Sequence, residues 1–282
     1  MALVAKPAGP TSHDVVDLVR RALGTRRVGH LGTLDPFAAG LLVLVVGRAT
    51  RLASFAEGWT KSYEGVIRLG VTTDTDDATG AVVATAPPLG ISAAQLAATM
   101  AGFLGPYLQH PPAYSAVKIA GERAYRRARR GEAVAPAARR VEIRSLEMVA
   151  YTAPDVRFRA TVSGGTYLRS LARDIGAALG CGGHLASLRR THVGPFTLAD
   201  AVAPETVTPA MLQEPAVLVA DLSRRELSAP ERDAAVHGRP IGEPGRENGE
   251  RGMVALFFEG HLVAVAEAVG EALKPRVVVS DA

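Results

Sequence analysis

The run Leu41-Leu42-Val43-Leu44-Val45-Val46 constrains this chain most: it is apolar at every step, rich in β-branched residues and closed by Gly47. Such a run has no polar face to show to water, so it reads as a strand buried at the centre of a sheet. Immediately before it lies Gly29-His30-Leu31-Gly32-Thr33-Leu34-Asp35-Pro36-Phe37-Ala38-Ala39-Gly40. Gly29, Gly32 and Gly40 permit dihedrals and approach distances that a Cβ would forbid, while Pro36 fixes the chain after Asp35 and confines the acid to extended geometry. Asp35 therefore stands on a loop leading into the core, where a carboxylate can be aimed. Composition alone leaves a second reading open, in which Asp35 is only a turn former.

The remaining pattern is that of an α+β chain. Ser12 to Gly24 reads as an amphipathic helix, with Ser12 as N-cap, Val15, Val16, Leu18, Val19 and Leu23 as its apolar stripe and Gly24 as its stop. Tyr63 to Leu69 and Ala81 to Ala84 read as strands joined by the polar turn Thr72 to Gly80. Ser92-Ala93-Ala94-Gln95 has capping-box spacing and opens a helix to about Met100. The proline-rich stretch from Gln109 to Val117 is a loop, and Glu122 to Arg130 is a short basic helix closed by Gly131. Val141 and Ile143, then Val156, Phe158, Ala160 and Val162 with Arg157, Arg159 and Thr161 turned outward, mark half-buried antiparallel strands. A glycine turn from Ser163 enters a helix ending near Gly180, which puts Arg169 in its first turn near a strand end.

At 282 residues, one large domain with a small appendage is expected, and the composition shifts near Leu222. The expected division is 1–222 and 223–282. The second part has short strands around a charged loop, Glu243 to Gly252, which suggests a small β-barrel. Net charge is only +4, yet the basic residues are nearly all arginine and come in pairs, at Arg20-Arg21, Arg26-Arg27, Arg126-Arg127, Arg129-Arg130, Arg139-Arg140 and Arg189-Arg190. Guanidinium forks suit phosphate and stack on bases, so a polyanionic partner is expected, with the pairs flanking a cleft. No apolar stretch approaches the ~20 residues of a membrane helix and no signal-peptide layout precedes Lys6, which reads as a soluble cytoplasmic protein. The single cysteine, Cys181, excludes an intrachain disulfide and reads as a small buried residue. The seven histidines show no His-x-x-x-His spacing, no paired cysteines accompany them, and no Gly-Lys-Ser/Thr follows the glycines, so neither a metal centre nor a nucleotide loop is expected.

Lys6-Pro7-Ala8-Gly9-Pro10-Thr11-Ser12 followed by Arg27 to Pro36 resembles the opening of the bacterial tRNA pseudouridine-55 synthases, the TruB family. The same order continues at Lys61-Ser62-Tyr63-Glu64, Arg68 to Asp76, Pro111 to Lys118, Gly165 to Ser170 and Gly183 to Arg190. The resemblance covers about residues 4 to 200 strongly and the rest weakly. It implies a pseudouridine synthase fold, with a mixed, largely antiparallel sheet around a central catalytic cleft, followed by a PUA-like RNA-binding module. It also implies cofactor-free isomerisation of a uridine in the T-loop of tRNA, by a monomer that needs no protein partner and no membrane.

Carried over residue by residue, Asp35 would be the catalytic acid, as nucleophile or as base on the sugar. Arg169 would be its ion-pair partner and would lower its pKa by ~1–3 units. Tyr63 would stack on the uracil, which must be flipped out of its loop at a cost of a few kcal/mol. His30 would fill the vacated space and Leu188 would pack on the flipped base. Lys6 with Pro7 would shape the pocket floor, and Tyr167 and Asp74 would join the substrate-binding set. Two other readings share the RNA contacts: a tRNA-folding chaperone indifferent to Asp35→Asn, and a guide-RNA-dependent relative. Against the latter stand the compact C-terminal part and the lack of charged terminal extensions.

Overall fold

The apolar run Leu41–Val46 lies inside a central strand of a computed structural model, which describes residues 1–242 and 252–280. The chain begins with β1 (Ala2–Lys6), α1 (Ser12–Ala22), β2 (Val28–His30) and β3 (Ala39–Val46), and a 3-10 stretch, Gly47–Ala56, leads to β4 (Lys61–Leu69). A hairpin of β5 (Val71–Thr73) and β6 (Val82–Thr85) precedes α2 (Ala93–Ala101) and β7 (Gly105–Gln109). After these come β8 (Lys118–Ile119), β9 (Glu122–Arg123), α3 (Ala124–Arg129), the long strands β10 (Arg139–Thr152) and β11 (Asp155–Val162), α4 (Leu168–Ala178), β12 (Gly183–Val193) and β13 (Phe196–Thr197). The last part holds β14 (Ser223–Glu226), α5 (Ala229–Val236), β15 (Ile241–Gly242), β16 (Met253–Phe258), β17 (His261–Val269) and β18 (Ala272–Val278).

Among the described residues, nine strands form one sheet in the order β1-β3-β12-β4-β11-β10-β7, with β2 beside β3 and β13 beside β12. Every pairing is antiparallel except β12 with β3, where Arg189 and Arg190 stand opposite Ala39 and Gly40. The expected mixed, largely antiparallel sheet is present, and its parallel seam starts just past Asp35. Gly40 makes the seam possible. Its φ is +112°, and a Cβ there would stand 2.2 Å from the Arg190 carbonyl oxygen. Gly29 carries no such demand, since a Cβ would meet only side chains at 3.6 Å and beyond; there the expectation drawn from glycine content fails.

Helices α2 and α4 cover one face of the sheet, burying Leu96, Met100, Leu171, Ala172 and Ile175 against Ile67, Ile143, Val156 and Phe158. Helix α1 covers β1 and β3 through Val15, Val16 and Val19. Its N-cap is Thr11, not Ser12: Thr11 Oγ1 accepts from the Asp14 amide, and Asp14 accepts from the Thr11 amide in return. Ser12 is buried instead, its hydroxyl bridging the backbone of Leu34. Ser92 caps α2 as expected, accepting from the Gln95 amide. The basic helix starts at Ala124, later than read from sequence, because Glu122 and Arg123 pair with Lys118 and Ile119 as strand. Strand β6 pairs with β5, so the acidic turn belongs to a separate hairpin and not to a direct return of β4. Cys181 is buried, and no helix among the described residues is long and apolar enough to cross a membrane.

The C-terminal strands form a sheet of their own, β14-β16-β17-β18-β15, curled into a half-barrel. Helix α5 packs on β15, β17 and β18, and Ala235 sits in a core with Ile241 and Leu273. The charged loop Glu243 to Gly252 lies outside the described residues, save its last glycine. The other side of this sheet joins the large domain in one continuous apolar cluster: Ala255, Phe257, Leu262 and Val265 pack with Leu3, Leu41, Val43, Leu52 and Leu218.

Candidate active site

Between the Asp35 loop, β4, β12, the start of α4 and the segment 114–116 opens a cavity of about 1270 Å³. Asp35, Tyr63, Arg169, His30, Leu188 and Tyr167 all line it. Sheet register explains the gathering: Tyr63 lies between Arg190 on β12 and Ala160 on β11, and Leu188 is one alternation further along β12 from Arg190. The glycine turn after β11 delivers Arg169 into the first turn of α4, as its place in the sequence implied.

Arg169 organises the centre. Its Nε lies 2.8 Å from Asp35 Oδ2 in an ion pair, its Nη1 donates to the Thr75 carbonyl at 2.9 Å and lies 3.5 Å from Asp77 Oδ2, and its Nη2 donates to the Tyr114 carbonyl at 2.9 Å. One guanidinium thus ties the acid loop, the β5–β6 turn and the 110–117 loop together. The Arg169 side chain is only 5% exposed while 36% of the Asp35 side chain remains accessible, so the cation sits behind and the carboxylate faces the cavity. Burial pushes the Asp35 carboxyl above its usual range; Arg169 and Lys6 pull it down, and Asp77 pushes it further up. The lowering expected from the ion pair is therefore outweighed, because the cleft withdraws more water from the carboxylate than Arg169 compensates.

The loop bearing Asp35 has no helix or strand of its own between His30 and Ala39, yet it is braced from three directions. Lys6, 1% exposed, donates to the carbonyls of Pro7, Pro36 and Ala38 at 2.9, 3.3 and 2.7 Å. Arg190, also 1% exposed, donates to the carbonyls of Gly32, Thr33 and Leu41, and Ser12 holds Leu34. Lys6 thus supports the floor from behind and does not itself line the cavity. Arg190 is likewise internal and not the surface arginine expected at the end of a pair. Of the other pairs, Arg129 lines the cavity, whereas Arg127 and Arg130 are engaged with Glu132 and Glu122.

Asp74 is the clearest displacement. It is exposed, accepts from the Ala81 amide within its own turn, and does not line the cavity. Asp77 lines it instead, with Oδ1 held by the hydroxyls of Thr75 and Thr79 and by the Thr79 amide. Asp76, at φ +61°, reverses the chain between them and pairs with Arg173 at 2.8 Å. Tyr167 is the N-cap residue of α4, with Arg139 stacked 5.4 Å over its ring. Burial, helped by Arg190, lowers the His30 pKa, so the ring that faces the cavity is neutral at pH 7. Lys61 and Ser115, which lie within matching sequence blocks but were not singled out, also line the cavity. Alternation along β4 carried the signal for Lys61, two residues before Tyr63; for Ser115 the only signal was its place in the matching block from Pro111 to Lys118. Among the described residues no three His, Cys, Asp or Glu side chains gather as metal ligands.

Similarity to known proteins agrees with this geometry. Residues 20–168 match the TruB family pseudouridylate synthase N-terminal domain, and residues 169–223 match the tRNA pseudouridylate synthase B C-terminal domain. The chain is 45% identical to tRNA pseudouridine synthase B of Thermobifida fusca, over 99% of this chain and 97% of that protein. It is 43% identical to that of a Mycobacterium species, over 100% and 96%. Among solved structures it superposes on a chain of a Cbf5-Nop10-Gar1 complex with a TM-score of 0.72, at 25% identity, covering 99% of this chain and 85% of the other. A cleft built on Asp35 and Arg169, two family models and relatives matched end to end lead to one conclusion: the chain belongs to the TruB family of pseudouridylate synthases.

Proposed function

We propose that this enzyme, a pseudouridine synthase acting on tRNA, converts uridine 55 of the T-loop to pseudouridine through Asp35, without a cofactor. The observation that carries the reading is the Asp35–Arg169 pair, with the carboxylate turned to the cavity and the guanidinium held behind it. The target base flips from its loop into the cavity and stacks on Tyr63, with Leu188 on its other side and the neutral His30 ring occupying the space it left. Asp35 takes a proton from ribose C2′ as the bond between C1′ and uracil N1 breaks, and the uracil leaves as an anion. The base turns to present C5, the C5–C1′ bond forms while the proton returns to C2′, the C5 hydrogen is lost to water, and the free N1 takes up a proton, so that the product is an isomer of the substrate. Burial that raises the Asp35 pKa makes its carboxylate a stronger base for the first step. Arg169 and Tyr167 position the acid and the nucleotide, and Asp77 holds Arg169.

Residues 1–222 form the catalytic part and 223–282 a PUA-like RNA-binding part, in a monomer that acts in the cytoplasm without an obligatory protein partner. The test is tritium release from an unmodified tRNA transcript labelled at uridine C5, with wild type beside Asp35→Asn and no added metal or second protein. Release by wild type alone, mapped to the T-loop uridine, is the expected result. No release from a folded, RNA-binding wild type would shift the reading to a tRNA chaperone or to a guide-dependent enzyme.

A further inference from the structure

Two lysines are buried close to the Asp35 loop, and their surroundings differ in one respect. Lys6 has three carbonyl acceptors for its three N–H bonds. Lys61, 9% exposed, has one, the Trp59 carbonyl at 3.0 Å, and it lines the cavity. Among the described residues no carboxylate lies within ion-pair distance of its ammonium, although Glu57 stands on the same rim. A buried ammonium with unused donors is costly unless something completes its shell.

The neighbourhood points to the chemistry of that partner. A Cβ built on Gly32 would lie 3.2 Å from Lys61 Cε and 3.6 Å from Arg190 Nη1, so the two cations flank the loop three residues before Asp35. Arg190 uses its donors on carbonyls, leaving its charge unpaired by any carboxylate among the described residues. Burial and the Arg190 charge hold the Lys61 pKa down to about 8, a penalty that an anion would offset. Lys61 is also two residues from Tyr63 on the same face of β4, about 7 Å along the strand.

We propose that the Lys61 ammonium binds a backbone phosphate of the RNA strand in the cleft, next to the nucleotide stacked on Tyr63. The proposal rests on the RNA reading above. It makes Lys61 a positioning residue for that nucleotide, with no proton to transfer.

The test measures binding and turnover of an unmodified T-arm stem-loop RNA by wild type, Lys61→Met and Lys61→Arg across a salt series. Lys61→Met should weaken binding roughly tenfold at low salt and lower the slope of log affinity against log salt by ~1. KM should rise while kcat holds, and Lys61→Arg should restore most of the affinity. Single neutral methylphosphonates placed around the target should reveal one position that weakens wild type and leaves Lys61→Met unchanged. Equal affinity and equal slope for wild type and Lys61→Met, or the same response of both to every methylphosphonate, would overturn it. Should Lys61→Met fail to fold, Lys61→Gln takes its place in the same series. Wild type that forms pseudouridine while Lys61→Met binds equally well removes only this proposal; wild type that neither binds nor modifies the RNA removes both readings.

Discussion

Asp35 stands between opposed influences, burial that favours its neutral form and a guanidinium 2.8 Å away that favours the charged one, and burial prevails. With the carboxylate as the working form, activity is lost as pH falls through its pKa. The acid limb of kcat/KM is therefore expected above 3.8, the ordinary value for an aspartate. Stability moves in the opposite direction: because the folded pKa is raised, the contribution of Asp35 is full below the unfolded value and is lost as pH rises through the folded one. A pH profile of tritium release checks the first statement, and a limb at or below the ordinary value would mean that Arg169 dominates. Asp35 and Arg169 stood out in the sequence through the family resemblance, since the glycines and proline around them suit a simple turn equally well. Asp74, Asp76 and Asp77 were not distinguishable, since three acids within four residues of a polar turn look alike until one left-handed residue, Asp76, decides which of the others turns inward.

The elements were legible wherever periodicity was strong: β3 from its unbroken apolar run, β11 from its alternation, α1 from its stripe. Edges were less so, and for a physical reason. Thr11 and Ser12 are chemically equal as caps, and what separates them is a tertiary bond, from Ser12 to Leu34, invisible in local sequence. The parallel seam of β12 with β3 was also hidden, because it joins residues about 150 positions apart by strand order alone. Its weak point is Gly40. Gly40→Ala would force a Cβ into the Arg190 backbone at a positive φ, with a cost of about 3 kcal/mol or more, read as a lower midpoint in urea. A midpoint equal to wild type would show that the seam can open to admit a methyl group.

Across the whole molecule, the half-barrel does not hang from a linker: Phe257 and Leu262 share one apolar cluster with Leu3, Leu41 and Val43. Cutting the chain after residue 222 should therefore expose apolar surface. Losing even two such side-chain contacts costs roughly 3–6 kcal/mol, so the 1–222 fragment is expected to melt well below the full chain and to self-associate, as calorimetry and sedimentation would show. A fragment as stable as the full chain would make the C-terminal part an independent passenger. The composition shifts near Leu222, but this seam left no mark in the sequence, since strand patterns do not say which sheet covers which. The same economy of movement holds at the acid. Lys6, Arg190, Ser12 and Arg169 fasten a loop without secondary structure to four separate parts of the chain, so Asp35 cannot swing out to meet anything. Under the proposed function, the nucleic acid and not the acid loop then has to cover the distance, and the cost of recognition falls on the RNA that gives up a nucleotide.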